Sequence, residues 1–286
     1  MKKAKKSPME SYLESHPYLA ETAALYLELE ARLKEVATPI ALPAREELIA
    51  LAQKGTPLLQ KGSLRQLIVK AAAEALPAAL ARLADLPAPA LMQDALKAWG
   101  EWAKAAKKTE IKKVFDALVR QEDEQIRDFA ARTKLSEPVL RTIGWALLSA
   151  LVPEDVKAAA LWEEAKWDAN TCPVCGRPPV MAQLRKEKEG RARFLSCDGC
   201  HTVWPFARIG CAYCGNKELK HMHILEPEGE ENMRLDVCDE CRAYLKTYQR
   251  EGEEDVYLHD WATIHLDMLG EEKGLHKEGS VLSARE

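Results

Sequence analysis

Two features of membrane and exported proteins are missing from this 286-residue sequence. The longest apolar run, Ile143 to Val152, is interrupted by Ser149 and has ten residues, whereas a membrane-spanning helix needs about 20. The lysines at positions 2, 3, 5 and 6 are followed by the segment Ser7–Glu10, and not by the apolar stretch of roughly 7 to 15 residues that a secretory signal needs. We therefore expect no membrane span and a cytoplasmic protein.

Motifs for catalysis and nucleotide binding are missing as well. The sequence has no glycine-rich phosphate loop, no G-x-S-x-G nucleophile motif and no H-E-x-x-H zinc motif. Aromatic residues make up only 6% of the chain. The five tryptophans of the first 171 residues are expected to pack between helices rather than line a binding groove. They are Trp99, Trp102, Trp145, Trp162 and Trp167.

Cysteine is absent from the first 171 residues, and this half has the periodicity of helices. Apolar residues from Tyr18 to Val36 recur every three or four positions, with Pro17 in the first turn, as on one face of an amphipathic helix. The segment 63–66 has capping-box spacing ahead of another apolar run. Further helices are expected at 89–104, 110–131, 137–151 and 153–167. The sequence predicts an all-α helical bundle for this half.

All eight cysteines lie between positions 172 and 241, and they form four C-x-x-C pairs. Reduced thiols are expected in the cytoplasm, and paired thiolates there favour metal binding over disulfides. The tight turn of C-x-x-C aims both sulfurs at one ion, and nearby backbone N–H groups stabilise their charge. The predicted metal ligands are Cys172, Cys175, Cys197, Cys200, Cys211, Cys214, Cys238 and Cys241.

The four turns alternate between two kinds, which predicts how they combine. The first and third are followed by Gly176 and Gly215, which can adopt a positive φ, whereas the second and fourth share Cys-Asp-x-Cys. The cysteine offset is similar in the two units, from 172 to 197 and from 211 to 238. We predict two tandem four-cysteine sites, each on a rubredoxin-like or zinc-ribbon module. A cross-braced arrangement, in which the first pair joins the third, is the alternative.

The predicted fold class is multidomain: an all-α N-terminal helical bundle, two tandem rubredoxin-like knuckle modules and a C-terminal helix. Hairpin tips are expected at 185–193 and 226–231, with a returning strand from Met233 to Val237. The predicted divisions are 1–168 for the helical domain, 169–204 and 205–250 for the two modules, 251–270 for the C-terminal helix and 271–286 for a disordered tail.

The second half contains a set of motifs beyond the four cysteine pairs alone. They are Trp167, Cys172–Gly176, Cys197–Cys200, Trp204, Arg208, Cys211–Asn216, Cys241–Lys246 and the tail segment Asp260–Asp267. In these residues the second half resembles the FdhE family of formate dehydrogenase accessory proteins. The resemblance covers about Trp167 to Leu269, and the helical half offers no comparably sharp motif.

This resemblance implies a cytoplasmic, non-catalytic maturation factor or chaperone. Its expected partner is the catalytic subunit of a molybdenum- or tungsten-dependent formate dehydrogenase, before that subunit is assembled or exported. The resemblance also implies two rubredoxin-like modules with two metal ions per chain. Iron is the expected ion, and zinc is the alternative.

Two other functions remain open on the sequence. A nucleic-acid-binding zinc-ribbon protein would need a basic face, yet the residues after 169 carry 16 Lys and Arg against 21 Asp and Glu. We therefore expect no nucleic-acid partner, although the hairpin 185–193 is locally basic. An iron-based redox protein is the second alternative, because a four-thiolate iron centre can change its oxidation state and zinc cannot.

The histidines are the remaining candidates for chemistry. His201, His221, His223 and His265 are each expected at the surface or in packing, since eight cysteines already make two complete ligand sets. No residue type or spacing predicts the oligomeric state.

Overall fold

The computed structural model describes residues 8–187, 190–230, 232–249 and 259–282. Across these ranges it has ten α-helices and a seven-stranded mixed sheet, and none of the described helices is long and apolar enough to cross a membrane. The helices are α1 (Pro8–Ser15), α2 (Ala20–Val36), α3 (Arg45–Ala52), α4 (Gly62–Arg82), α5 (Ala90–Ala105), α6 (Lys108–Arg120), α7 (Asp123–Thr133), α8 (Glu137–Leu151), α9 (Ala159–Glu164) and α10 (Ile264–Glu272). The strands are β1 (Met181–Glu187), β2 (Gly190–Ser196), β3 (Val203–Phe206), β4 (Met222–Leu225), β5 (Met233–Cys238), β6 (Ala243–Tyr248) and β7 (His276–Lys277).

Helix α4 lies at the centre of the helical half and contacts α2, α5, α6 and α8. The single helix predicted at 110–131 is instead two helices, because Gln121 adopts a left-handed φ of 59° and ends α6. The helix predicted at 153–167 is reduced to α9, which follows a 3-10 turn at Glu154–Val156. Trp99, Trp145, Trp162 and Trp167 are buried, so their predicted packing role is confirmed.

The first helix packs away from α4. Met9 and Tyr12 of α1 lie in a second hydrophobic core with residues of the sheet and α10. The Tyr12 hydroxyl donates a hydrogen bond to the carbonyl of Ala262, at 2.9 Å. Helix α1 is therefore fixed to the C-terminal elements, a contact that helical periodicity does not predict.

The two cysteine units share one sheet, in the strand order β3-β2-β1-β6-β5-β4. Each unit supplies antiparallel strands, and the units join where β1 pairs in parallel with β6, with Met181 opposite Lys246 and Gln183 opposite Tyr248. The predicted returning strand is present as β5. Separate modules were predicted because hairpins are local; the parallel pair joins segments that lie far apart in sequence.

The expectation of a disordered tail from position 271 is wrong for residues 271–282. Strand β7 pairs in parallel with β6, opposite Ala243 and Tyr244. Gly279 has a φ of +80°, and an added Cβ would overlap the carbonyl oxygen of Pro179. The polar composition of this segment suggested disorder, but its backbone is held by strand pairing and by close packing. Residues 251–258 of the predicted helix 251–270 lie outside the described residues. In its described part, α10 begins at Ile264.

Candidate metal centres

The eight cysteines gather into two groups of four, in the tandem and not the cross-braced arrangement. Cluster 1 consists of Cys172, Cys175, Cys197 and Cys200, and cluster 2 consists of Cys211, Cys214, Cys238 and Cys241. All eight are free of disulfide bonds. The structure thus brings together all eight predicted cysteine ligands, and their role as metal ligands stays a prediction.

The local turns explain how each pair converges. In the first and third turns the carbonyls of Cys172 and Cys211 accept the N–H groups of Gly176 and Gly215, both at positive φ. The second and fourth turns have the same bond and the same backbone shape without glycine. There the left-handed positions are taken by His201 (φ 57°) and Arg242 (φ 60°). All four turns are therefore knuckles, although only two carry the glycine signal.

The sulfur positions fit a four-thiolate ion. Neighbouring Sγ atoms are 3.4–3.6 Å apart in cluster 1 and 3.7 Å apart in cluster 2. A tetrahedral ion with metal–sulfur bonds of about 2.3 Å places its ligands roughly 3.8 Å from one another. Four soft thiolates select zinc or iron over magnesium or calcium. Each cluster can therefore hold one ion.

Cluster 1 is fully enclosed, since all four of its cysteines are 0% exposed. Burial raises the pKa of the Cys172 and Cys175 thiols well above the ordinary value. Burial also opposes ionisation of Cys200, yet hydrogen bonds with the neighbouring sulfurs lower its pKa well below the ordinary value. A divalent ion that enters this site must displace thiol protons, so metal binding and folding are coupled here.

The helical half holds the first knuckle of cluster 1 by its backbone. The N–H groups of Leu58 and Leu59 donate to the carbonyls of Pro173 and Val174, at 2.9 and 2.8 Å. The side chain of Gln60 donates to the carbonyl of Cys175 at 3.1 Å. Cluster 1 also belongs to the main hydrophobic core, which is built mostly from the helices.

The second knuckle of cluster 1 packs on α8. A Cβ at Gly199 would lie 2.9 Å from the ring of Trp145 and 2.8 Å from the side chain of Arg177, so only glycine fits without displacement. The Arg177 guanidinium stacks on Trp145 and donates to the carbonyl of Ser280, at 2.6 Å. The tail therefore closes over this knuckle, where Asp198 also accepts the N–H of Val281.

Cluster 2 lies closer to solvent, with Cys214 exposed and Cys241 half-buried. Backbone N–H groups of Tyr213 and Cys214 point at the sulfur of Cys211, at 3.4 and 3.5 Å, and these contacts favour its thiolate. Burial nevertheless raises the pKa of both Cys211 and Cys241. The two cysteine clusters thus have matching turns in unlike surroundings.

The predicted histidines lie beside one of the two clusters or away from both. His221, just before β4, and His223 of β4 contact the carboxylates of Glu240 and Asp239, the two residues inside the fourth knuckle. His201 follows Cys200 and faces the ring of His259. None of these three belongs to a candidate ligand set among the described residues, whereas His265 does, together with His16 and Glu230.

The motif residues near the C-terminus form a buried ionic network. Lys246 of β6 is 1% exposed and contacts the carboxylates of Asp260 and Asp267. Lys277 of β7 contacts the same two carboxylates, at 2.8 and 2.5 Å, and the Tyr244 hydroxyl donates to Asp267 at 2.9 Å. Although burial opposes it, the two ammonium groups lower the pKa of Asp260 to about 2. This network fixes α10 and the tail to the sheet.

Not all basic side chains of the hairpin at 185–193 are exposed to solvent. Arg193 is 3% exposed and donates to the carbonyls of Ala207 and Gly210, which connects the first unit to the third knuckle. Arg208 lines a cavity of about 450 Å³ between the two units. The exposed apolar side chains of Ile209, Leu219 and Ile224 line the same cavity.

Comparisons with known proteins match the half that carries these clusters. Residues 171–208 match the family model for the FdhE central domain, and residues 209–282 match that for the FdhE C-terminal domain. The FdhE homologue of Pseudomonas aeruginosa is 34% identical over 123 residues, which cover 40% of this chain and 39% of that protein. The FdhE homologue of Aquifex aeolicus is 30% identical over 119 residues, 41% of this chain and 42% of its own.

Protein FdhE of Salmonella paratyphi A is 30% identical over 152 residues, 51% of this chain and 47% of its own. The matched segments thus span less than half the length of these curated relatives. The crystal structure of the FdhE protein from Pseudomonas aeruginosa superposes with a TM-score of 0.64 over 97% of this chain and 93% of that one, at 24% identity. The fold is therefore shared along the chain, and the predicted resemblance to the FdhE family is confirmed.

Proposed function

Because residues 171–282 belong to the FdhE family, we propose that this protein is an accessory factor for formate dehydrogenase. It binds the catalytic subunit of that enzyme in the cytoplasm and supports its assembly, as a chaperone and not as a catalyst. The observation that carries the proposal is the pair of tandem cysteine clusters on one shared sheet, inside the two matched family domains.

The eight cysteines are the proposed ligands of two ions per chain, with iron as the expected ion and zinc as the alternative. Bound iron supplies a one-electron centre, and bound zinc supplies a structural cross-link only. The protein contributes the four knuckles, the N–H groups that point at Cys211, and the helical packing that keeps water from cluster 1.

The cavity between the two units is the proposed contact surface for the catalytic subunit. Its rim combines exposed apolar side chains with the guanidinium groups of Arg191 and Arg208. This combination suits an extended segment that carries apolar and acidic side chains, since an apolar rim gains by burial and the arginines pair with carboxylates.

Co-purification from cells that produce a formate dehydrogenase catalytic subunit tests both the accessory function and the proposed contact surface. Wild-type protein is expected to retain the subunit, and the double variant Leu219→Asp with Ile224→Asp is expected to retain at least tenfold less. Leu91→Asp is the control, because Leu91 is also an exposed apolar residue but lies on α5. Failure of wild type to retain the subunit would overturn the function. Equal retention by the double variant would overturn only the surface.

One observation favours a second function, electron transfer through cluster 2. Its Cys214 is exposed, so a redox partner can approach an ion there closely, whereas cluster 1 is enclosed. Voltammetry of the purified, iron-loaded protein is expected to give a reversible one-electron signal that Cys214→Ser removes. A protein that binds only zinc, or gives no reversible signal, would contradict a redox function and leave the accessory function standing.

A further inference from the structure

A third group of potential metal ligands lies outside the cysteine clusters. It consists of His16 after α1, Glu230 in the turn between β4 and β5, and His265 in the first turn of α10. The Nε2 atoms of both histidines lie 2.8 Å from the same carboxylate oxygen, Oε1 of Glu230. The three side chains are only 13–21% exposed, so the group is shielded but within reach of solvent.

Hydrogen bonding fixes the protonation of one ligand. The Nδ1 atom of His16 lies 2.9 Å from the carbonyl oxygen of Tyr12, which can only accept, so Nδ1 carries the proton. The hydroxyl of Ser15 donates to that same carbonyl, at 2.8 Å. In neutral His16 the Nε2 atom is therefore an unprotonated acceptor that faces a carboxylate oxygen. Two acceptors this close need a cation between them.

The position of His265 also indicates that a cation is needed. His265 Nε2 is as close to Glu230 as His16 Nε2 is, but it lies outside hydrogen-bond geometry, and within the described part of the chain its buried Nδ1 has no hydrogen-bond partner either. Although burial opposes it, the proximity of His265 and His16 lowers the pKa of Glu230. Two imidazoles thus converge on one carboxylate that stays ionised.

We propose that His16, Glu230 and His265 form a third metal site, which binds a late first-row divalent ion such as Zn²⁺. Two imidazole nitrogens and one carboxylate are a donor set for zinc with an open fourth position, whereas magnesium and calcium require oxygen ligands. The Tyr12 carbonyl orients His16 as backbone carbonyls orient metal-bound histidines, and the Tyr12 ring stacks on the imidazole at 4.0 Å.

The site would join three segments that are distant in sequence. Its ligands come from the N-terminal segment, from the second cysteine unit and from α10. Tyr12 also donates a hydrogen bond to Ala262, in the 3-10 turn that precedes α10. A bound ion would therefore attach the N-terminal helix to the C-terminal half, independently of the thiolate sites.

Calorimetric titration of the full-length protein with Zn²⁺, after saturation of the cysteine sites, tests the proposal. We expect one further equivalent per chain, by calorimetry and by metal analysis. Co²⁺ in its place is expected to show ligand-field bands without new thiolate charge-transfer absorption. His265→Ala and the nearly isosteric Glu230→Gln should each weaken this binding at least tenfold. His276→Ala, at an exposed histidine on β7, should leave it unchanged.

Thermal unfolding shows whether a variant loses metal binding because it has lost its fold. The Glu230→Gln protein should still give a melting transition and should retain its cysteine-bound metal, so that loss of the third equivalent does not reflect unfolding. If wild type binds no further equivalent, the group is a proton-bridged imidazolium–carboxylate cluster and the proposal is wrong. A third equivalent that both variants bind as tightly as wild type would place the ion elsewhere and would also overturn it.

Discussion

Cluster 1 and cluster 2 have the same turn geometry but occupy different surroundings. Each uses two knuckles whose left-handed position follows the second cysteine. Cluster 1 is enclosed by the helical core, with Leu58 and Leu59 bonded to its first knuckle, whereas Cys214 of cluster 2 is exposed. The comparison shows that one sequence pattern can serve as part of a core in one place and as an accessible site in another.

The largest effect is expected from removing one ligand of each cluster. Cys175→Ser and Cys214→Ser change the second cysteine of equivalent knuckles, and each should lose one metal equivalent. Metal binding at such sites contributes on the order of 10 kcal/mol to folding. The Cys175 variant should therefore destabilise the helical half by several kcal/mol, measured as the helical circular dichroism signal on heating. The Cys214 variant should change that signal by less than about 1 kcal/mol, because cluster 2 lies outside the helical core.

Two results would contradict this difference. Equal helical destabilisation by the two variants would mean that the clusters share one cooperative unit. Full metal retention by either variant would contradict closed four-thiolate sites.

A smaller difference between the two clusters is expected in the rate of metal release. A chelator can reach cluster 2 through exposed Cys214, whereas cluster 1 must first open locally. We expect two release phases of equal amplitude that differ at least tenfold in rate, followed with a chromogenic chelator. The Cys214→Ser protein should lack the fast phase and the Cys175→Ser protein the slow one. A single phase in the wild-type protein would show that burial does not control release.

The smallest effect concerns the contact between cluster 1 and the helices. Gly199→Ala places a methyl group against Trp145 and Arg177 and should lower the free energy of unfolding by about 1 to 3 kcal/mol. Gly100→Ala in α5 meets no neighbouring segment and should raise it by about 0.5 to 1 kcal/mol. Denaturant unfolding of the metal-loaded proteins measures both. A Gly199→Ala protein as stable as wild type would contradict close packing of this knuckle on α8.

The cysteine chemistry was predictable because it is local. Residues three apart in a turn converge whatever the rest of the chain does, and matching spacings paired the turns correctly. The glycine signal identified only half of the knuckles, since His201 and Arg242 adopt the same backbone shape without it. Helices were likewise found by periodicity, but the break at Gln121 was not, because Gln121 adopts its left-handed φ without the glycine that usually marks such a helix end.

The third ligand group had no sequence signal at all. His16 and Glu230 are 214 residues apart, and neither stands in a spacing typical of metal ligands. His265 belonged to a family-like segment, where it was expected in packing. Only the docking of α1 against α10 and the β4–β5 turn brings the three side chains together.

By itself, the sequence determined the elements and the chemistry that short segments carry: helices from apolar periodicity, four thiolate knuckles from C-x-x-C, and the family from motifs. Tertiary structure decided the parallel pairing of β1 with β6, the ordered tail, the burial of cluster 1 and the exposure of cluster 2. The physical reason is the distance along the chain over which each feature is decided. A turn or a helical face depends on neighbours within a few residues, whereas burial and strand pairing depend on which distant segments pack together.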